Sequence, residues 1–350
     1  MQEKILILDG AMGTMIQRFG LTAADFGGEA LEGCNEMLNV TRPDLIRSIH
    51  EAYLEAGADI IETNTFGATR IVLSEYGIAE RARELNLAAA RLAVEAAERY
   101  SSDVQPRYVA GSMGPTTRTL SVTGGVTFEQ LVDAYYEQAL ALIEGGVDAL
   151  LLETSQDTLN VKAGGVAIRR AFERAGKELP IMISGTIEPM GTTLAGQNIE
   201  AFYVSIEHLS PISVGLNCAT GPEFMKDHIR TLAGIAKTAV SCYPNAGLPD
   251  ENGHYHESPE SLAKKLAAFA REGWLNIAGG CCGTTPEHIR AIARALEGIP
   301  PRIPAGFRHP AVSGIDVVYF EPDNRPLLVG ERTNVLGSAK FKRLIAEGKY

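Results

Sequence analysis

Eight short apolar runs recur along the first 300 residues of this 350-residue chain, and each is followed by a segment with helical periodicity. Apolar runs without polar alternation are typical of parallel strands that are buried on both faces. Eight strand–helix units in this length predict a closed (β/α)₈ barrel, whereas the alternative, a doubly wound open sheet, usually has fewer strands. The predicted strands are residues 5–8, 60–62, 108–111, 149–153, 181–185, 213–217, 239–243 and 275–280.

The composition agrees with a globular barrel, since 45% of the residues are hydrophobic. The net charge of -11 at pH 7 argues against a nucleic-acid partner, because phosphate binding requires a basic surface. No apolar segment approaches the roughly 20 residues of a membrane helix, and none resembles a secretory signal, so we expect no membrane partner. Five cysteines in such a chain favour free thiols or metal ligands in a reducing cytoplasm over a disulfide framework.

Three cysteines follow predicted strands in turns that contain glycine. Cys218 follows strand six, and Cys281 and Cys282 follow strand eight. The carboxyl ends of barrel strands lie on one rim, so we expect these thiols to lie close together. Three thiolates that leave a fourth position open suit a catalytic zinc ion, which can activate an external thiol. Buried structural cysteines and a redox disulfide between the two adjacent cysteines are the alternatives.

The remaining cysteines and two other motifs receive different interpretations. Cys34 lies in the first loop and Cys242 lies inside strand seven, and we interpret both as structural. Asn245 follows strand seven, between the two cysteine-bearing strands, and is a candidate fourth metal ligand when substrate is absent. His254 and His256 lie in a loop that we expect to run away from the strand end, so we interpret them as solvated residues rather than ligands.

Polar residues at the ends of other strands are candidate ligands for an amino-acid substrate. Asp9 follows strand one in a turn with Gly10 and Thr14, and Glu153 ends strand four. Carboxylates with loop N–H groups suit an ammonium and a carboxylate group. The alternatives are a tight turn for Asp9 and a helix N-terminal charge for Glu153. Further candidates at strand ends are Asn64 and Ser112.

The C-terminal part of the chain differs in composition from the barrel. We predict the barrel at residues 1–300, followed by a proline-rich linker at 301–325. Residues 326–350 have a strand-like pattern and then a helical one. This pattern predicts the first strand–helix unit of a second domain.

Four motifs resemble those of the homocysteine S-methyltransferase family. They are LDGAMGT at 8–14, ETNTF at 62–66, GLNC at 215–218 and GGCCGTTPEHI at 279–289. The resemblance covers about residues 1–300. It implies a zinc-dependent (β/α)₈ barrel that methylates homocysteine, with the three rim cysteines as the zinc ligands.

The segment LVGERTNVLGS at 328–338 resembles the opening of the pterin-binding barrel of cobalamin-dependent methionine synthases. Its signature residues are Glu331, Arg332, Thr333 and Asn334. This resemblance implies methylcobalamin as the methyl donor, and cobalamin-binding and folate-binding modules of one longer enzyme as partners. A methyltransferase that uses betaine or S-methylmethionine and a non-enzymatic zinc or redox module are the alternatives.

Overall fold

Eight parallel strands form a barrel in the computed structural model, which describes residues 1, 3–306, 309–327 and 337–349. From the second strand to the eighth, each strand pairs with the next one along the chain, and the eighth pairs with the first. The strands are β1 (Leu6–Ile7), β2 (Ile60–Glu62), β3 (Tyr108–Met113), β4 (Ala149–Ser155), β5 (Ile181–Gly185), β6 (Ser213–Asn217), β7 (Ala239–Tyr243) and β8 (Ile277–Ala278). The predicted (β/α)₈ barrel is confirmed.

Backbone contacts between β1 and β2 bring the two ends of the strand series together. Leu8 and Ile60 form a parallel bridge, and the Asp59 N–H donates to the Ile7 carbonyl at 2.7 Å. All eight predicted strands are present, and those at 60–62, 181–185, 213–217 and 239–243 coincide with the observed bounds. The continuous apolar pattern was sufficient because both faces of these strands are buried.

Helices surround the strands and cover their outer faces. The described α-helices are α1 (Gly13–Gln17), α2 (Ala23–Phe26), α3 (Leu38–Thr41), α4 (Pro43–Ala56), α5 (Arg70–Leu73), α6 (Ala82–Tyr100), α7 (Phe128–Gly145), α8 (Thr158–Ala175), α9 (Ile199–Ile206), α10 (Pro222–Ile235), α11 (Pro259–Arg271), α12 (Pro286–Leu296) and α13 (Ala339–Ala346). None of these helices is long and apolar enough to cross a membrane.

Local sequence determines where the helices begin and end, as α7 illustrates. The Gln130 N–H donates to Thr127 Oγ1 at 3.2 Å, and the Thr127 N–H donates to Gln130 Oε1 at 2.8 Å. This reciprocal capping box satisfies two N–H groups that the first helical turn leaves unpaired. The helix ends at Gly145, and the next residue, Gly146, has a φ of 95°, which is accessible to glycine at little cost.

A proline-rich segment and a β-hairpin follow the barrel and pack against it. The hairpin consists of β9 (Ala311–Ser313) and β10 (Val317–Tyr319), which are antiparallel. Ser313 Oγ donates to the Ala201 carbonyl of α9 at 2.8 Å, and Tyr319 Oη donates to Glu200 Oε1 at 2.6 Å. The predicted linker at 301–325 therefore contains regular structure that is fixed to the barrel.

Part of the predicted start of a second domain, residues 326–350, lies outside the described residues. Glu331, Arg332, Thr333 and Asn334 fall within residues 328–336, which are outside them. The helix α13 coincides with the helical pattern of this region. The division of the chain into domains stays a prediction.

Replacing Arg302 by Ala should lower the free energy of unfolding by about 3 kcal/mol, because buried carbonyl groups would lose charged donors. The Arg302 side chain donates to the carbonyls of Ala233 at 2.9 Å and Thr238 at 2.8 Å. Urea denaturation measures the loss. Arg230→Ala removes an exposed guanidinium and should stay within about 0.5 kcal/mol of wild type. Equal losses for both variants would show that the Arg302 contacts contribute little.

Candidate active site

The carboxyl ends of the strands surround a cavity of about 410 Å³. In (β/α)₈ barrels this end of the strands is where catalytic residues collect. The cavity is lined by nine residues that the sequence singled out: Asp9, Gly10, Thr14, Asn64, Ser112, Glu153, Cys218, Cys281 and Cys282. Asn245 lies close by but does not line it.

Three thiols form a cluster on the wall of this cavity. The Sγ atoms of Cys218, Cys281 and Cys282 all lie within 4.8 Å of one another, and those of Cys218 and Cys282 are 4.0 Å apart. Two sulfur ligands of a tetrahedral zinc ion are roughly 3.8 Å apart, given Zn–S bonds of about 2.3 Å. The spacing and the soft donor atoms therefore fit a zinc ion with three sulfur ligands.

The turn after β6 places Cys218 in an uncommon backbone conformation. Cys218 has a φ of 60° and Ala219 a φ of 50°, in the left-handed region that residues other than glycine seldom occupy. The Thr220 N–H donates to the Cys218 carbonyl at 2.6 Å and tightens the turn. Such conformations persist where the surrounding structure enforces them, and here the result is a thiol directed at the other two.

The two adjacent cysteines lie in a turn that is fixed by backbone hydrogen bonds. The Cys281 N–H donates to the Pro244 carbonyl at 2.8 Å, and the Cys282 N–H donates to Asn245 Oδ1 at 3.0 Å. The side chain of Asn245 therefore orients the turn in this structure. Its predicted role as a fourth metal ligand stays a prediction.

The thiols differ in acidity because they hydrogen-bond to one another. Contacts from Cys218 and Cys281 lower the pKa of the Cys282 thiol to about 3. The same network raises the pKa of Cys281 well above its usual value. The metal-free cluster thus concentrates negative charge on one sulfur, which is the form that binds metals.

Four carboxyl groups line the same cavity, those of Asp9, Glu36, Glu62 and Glu153. The Glu62 N–H donates to Asp9 Oδ2 at 3.0 Å, and Ser112 Oγ forms a short hydrogen bond with Glu153 Oε1. Burial raises the pKa of Glu153 to about 7, and it raises the pKa values of Asp9 and Glu62 well above the usual range. The cavity lining that the structure describes contains no Lys, Arg or His side chain. The arrangement therefore suits a ligand that brings positive charge.

Comparison with known proteins agrees with this chemistry. Residues 6–296 match the sequence profile described as Homocysteine S-methyltransferase. The chain belongs to the homocysteine S-methyltransferase family. Membership of this family supports methyltransferase activity, and the cavity described above is its candidate active site.

Solved structures of a homocysteine methyltransferase share the barrel. The metallated form of MmuM from Escherichia coli is 25% identical, with a TM-score of 0.68 over 84% of this chain and 96% of that one. The oxidized form is 24% identical, with a TM-score of 0.69 over 83% and 95% of the two chains. These likenesses extend over the whole barrel.

Four residues at or beside the cavity of this homocysteine S-methyltransferase barrel were missed by the sequence analysis. Glu62 and Tyr243 are the last residues of β2 and β7, and both line the cavity. The strand-end rule that selected Glu153 would have found them. Asn217 is the last residue of β6, so the same rule would have found it, and its Nδ2 contacts Cys281 Sγ at 3.9 Å. Tyr255 lies in a loop away from any strand end, so no sequence pattern marks it as a residue of the cavity.

The loop after β7 corrects one expectation and confirms another. It returns to the cavity, which Gly253 and Tyr255 line, so the prediction that it runs away was wrong. A Cβ atom on Gly283 would lie 2.3 Å from Tyr255 Cγ, because the tyrosine packs directly on that glycine. His254 and His256 are 73% and 70% exposed and contact Asp250, as expected for solvated residues.

Three predicted substrate residues hold the surrounding loops in place. Thr14 Oγ1 accepts a hydrogen bond from the Gly283 N–H at 3.2 Å. Asn64 Nδ2 donates to the Asn35 carbonyl at 2.9 Å. A Cβ atom on Gly10 would lie 2.8 Å from the ring of Tyr53, so only glycine fits there. Their contacts with substrate stay predictions.

Cys34 and Cys242 do not join the thiol cluster. Both are completely buried, and each packs among apolar side chains. Burial raises the pKa of Cys34 to about 11, which makes it a poor nucleophile and a poor metal ligand. Their interpretation as structural residues agrees with these positions.

Replacing Glu153 by Gln should remove a pH-dependent destabilisation of the metal-free protein. Burial raises the pKa of Glu153 in the folded state to about 7, so the folded protein holds this proton more tightly than the unfolded chain does. The stability that results is fully present below the unfolded pKa of about 4.3 and is lost as the pH rises through 7. The free energy of unfolding of the variant, relative to that of wild type, should therefore increase by about 2 to 3 kcal/mol between about pH 5 and pH 8. Urea denaturation at both pH values measures this, and a constant difference would contradict it.

Proposed function

We propose that this chain transfers a methyl group to the sulfur of homocysteine, giving methionine, with zinc held by Cys218, Cys281 and Cys282. The observation that supports it is the pairing of a thiol cluster with buried carboxyl groups in one cavity. The thiol cluster suits the sulfur end of homocysteine, and the carboxyl groups suit its ammonium group. A reducing cytoplasm, where the thiols stay free, is the compartment in which this site would work.

The three cysteines fit a catalytic rather than a structural zinc site. A structural zinc ion is normally enclosed by four protein ligands, whereas three ligands leave a position for substrate. Zinc, when bound, supplies a Lewis acid that favours the thiolate form of a thiol at neutral pH. The role of the cysteines is to hold the ion at the cavity wall, and their turns keep the sulfur atoms together.

The carboxyl groups and loops would bind the amino-acid end of homocysteine. We assign Asp9 and Glu153 to its ammonium group, with Ser112 holding Glu153 in place. The backbone of the turn that includes Gly10 and Thr14 lines the cavity and would bind its carboxylate. Homocysteine fixed at both ends presents its sulfur to the donor in one orientation, which lowers the entropic cost of transfer.

Methylcobalamin carried by a separate protein module is the donor we propose. Exposed apolar side chains lie in segments that follow the carboxyl ends of several strands, which is the end of the barrel that holds the cavity. They include Phe19, Met190, Phe224 and Leu248, and Met190 is 76% exposed. Apolar side chains around a cavity are typical of a protein docking surface, and a small diffusible donor would not require them. The resemblance of residues 328–338 to a pterin-binding barrel supports the same assignment and adds a folate-binding module as a partner.

A small cationic donor such as betaine or S-methylmethionine is the second candidate. Phe66 and Tyr255 line the cavity, and aromatic faces bind sulfonium and quaternary ammonium groups. Trp274 does not contribute, because it packs on Phe269 with ring centroids 5.6 Å apart, before β8 begins. The two candidates share the homocysteine site and differ only in the donor.

Each of the single variants Cys218→Ala, Cys281→Ala and Cys282→Ala should lose the zinc ion while the barrel stays folded. The wild type should retain about one zinc per chain after gel filtration, and the variants less than about a tenth of that. Inductively coupled plasma mass spectrometry measures the zinc, and circular dichroism measures the fold. Cys242→Ala is the control and should retain zinc. Loss of zinc from this control alone would contradict the assigned ligands.

The zinc-loaded chain should form methionine from homocysteine and free methylcobalamin. The reaction should be slow, since an untethered donor lacks the high effective concentration that a linked module provides. Mass spectrometry of the product with methylcobalamin, betaine or S-methylmethionine as the donor tests the assignment. Methionine from betaine or S-methylmethionine alone would support the second candidate. No methionine from any donor would leave a non-enzymatic zinc or redox module.

A further inference from the structure

A buried amide side chain connects three strands of the barrel to the thiol cluster. Asn217 is the last residue of β6 and is completely buried. Its Oδ1 accepts a hydrogen bond from the Thr154 N–H of β4 at 3.0 Å and another from Ser184 Oγ of β5 at 2.7 Å. Its Nδ2 donates to Thr154 Oγ1 at 2.7 Å and contacts Cys281 Sγ at 3.9 Å. Both ends of the amide are therefore engaged.

The partners of this amide determine which of its ends faces the sulfur. The oxygen and nitrogen of an amide have nearly the same shape, so only the hydrogen bonds distinguish them. A backbone N–H group can only donate, and the atom that accepts from the Thr154 N–H must therefore be the oxygen. The nitrogen is then the end that lies against Cys281, where its N–H can only donate and the sulfur can only accept.

The end of β4 departs from regular strand geometry at the residue that holds the amide. Thr154 has a φ of 53°, in the left-handed region that β-branched residues seldom occupy. The register between β4 and β5 also shifts between Leu152 and Ser155. At this irregularity the Thr154 N–H donates to the side chain of Asn217. Irregular strand ends and strained residues are common beside active sites, where they direct particular groups.

An N–H donor at this position would offset negative charge at the zinc site. Three thiolates around a divalent ion leave a net charge of about −1, and the thiolate of homocysteine would make it about −2. The described lining of the cavity contains no Lys, Arg or His side chain to offset this charge. Hydrogen bonds to ionised acceptors are about twice as strong as those to neutral ones. Because a metal ion deprotonates its thiol ligands, metal binding would strengthen the N–H···S contact.

We infer that Asn217 is a positioning residue of the zinc site, whose Nδ2 donates a hydrogen bond to the Cys281 thiolate and thereby keeps this sulfur on the metal. Thr154 and Ser184 in turn hold the amide in the orientation that this bond requires. The inference rests on the proposed function and extends it from the three ligands to a residue that orients one of them.

The experiment measures the zinc affinity of two variants by competition with a chelator. Asn217→Asp retains the acceptor oxygen and replaces only the N–H donor, whereas Asn217→Ala removes the whole amide. We expect each to bind zinc about 10- to 100-fold more weakly than wild type, the usual effect of losing a hydrogen-bond partner of a metal ligand. Circular dichroism confirms the fold, and the Asp variant preserves the shape of the side chain if the Ala variant is unfolded. Unchanged affinity would overturn the inference, and so would tighter binding by Asn217→Asp, because the new carboxylate would then bind the ion itself.

Thr154→Val distinguishes a hydrogen bond to the sulfur from a general effect on the strands. It removes the Oγ1 atom that accepts from Asn217, but it leaves the Thr154 N–H and the contact between Asn217 and Cys281 in place. The zinc affinity should therefore stay close to that of wild type. A loss as large as that of the Asn217 variants would show that the amide acts only by joining β4 to β6.

Cobalt(II) in place of zinc gives a spectroscopic measure of the same bond. A hydrogen bond lowers the energy of the electrons on a thiolate, so its loss should move the thiolate-to-cobalt absorption band to longer wavelength in both Asn217 variants. A band that stays in place in the folded variants would contradict a bond between Asn217 and the sulfur.

Asn276→Asp is the matched control. Asn276 is also a buried amide, but it precedes β8, where its Oδ1 accepts from the Val240 N–H at 2.9 Å and its Nδ2 donates to the Arg302 carbonyl at 2.7 Å. Its replacement should change neither the zinc affinity nor the cobalt band, and an equal loss here would attribute the effect to buried charge in general. If wild type binds zinc and the Asn217 variants match it, this inference alone fails. A wild type that retains no zinc would overturn the proposed function as well.

Discussion

The hydrogen bonds that join β1 to β2 determine which side chains share the active site. The Asp9 N–H donates to the Ile60 carbonyl at 3.0 Å, so a residue of the site itself takes part in closing the barrel. Closure brings Asp9 beside Glu62 on one side and, through β8, beside the two adjacent cysteines on the other. In an open sheet β1 and β2 would not meet, and the thiols and carboxyl groups would not face one cavity.

The site concentrates groups that are costly to bury together. Three thiols and the carboxyl groups of Asp9, Glu62 and Glu153 line one cavity without a cationic side chain among the described lining residues. Burial of carboxyl groups is unfavourable unless they are protonated or paired. Evolution retains such arrangements where function requires them, and here a metal ion and an amino-acid ligand would supply the missing positive charge.

The sequence predicted the barrel and much of the site because both depend on regular strands. Continuous apolar runs marked the strands, and a common rim followed from parallel pairing, so Cys218 and Cys281 could be placed together. Tyr255 and the hairpin at 311–319 could not be predicted, since irregular loops and short strands have no periodicity. The orientation of Asn245 depends on the backbone of a neighbouring turn, which no pattern in its own segment reveals.

The docked hairpin sets the reach of whatever follows the barrel. An extended chain spans roughly 3.4 Å per residue, so the 31 residues from Leu296 to Leu327 would span about 105 Å if they were free. Hydrogen bonds from Ser313 and Tyr319 to α9 leave at most the eight residues after Tyr319 as a tether, which span no more than about 27 Å. A domain attached after Leu327 would stay beside α9. Its local concentration near the barrel would be set by the short tether after the hairpin and not by the full length of the linker.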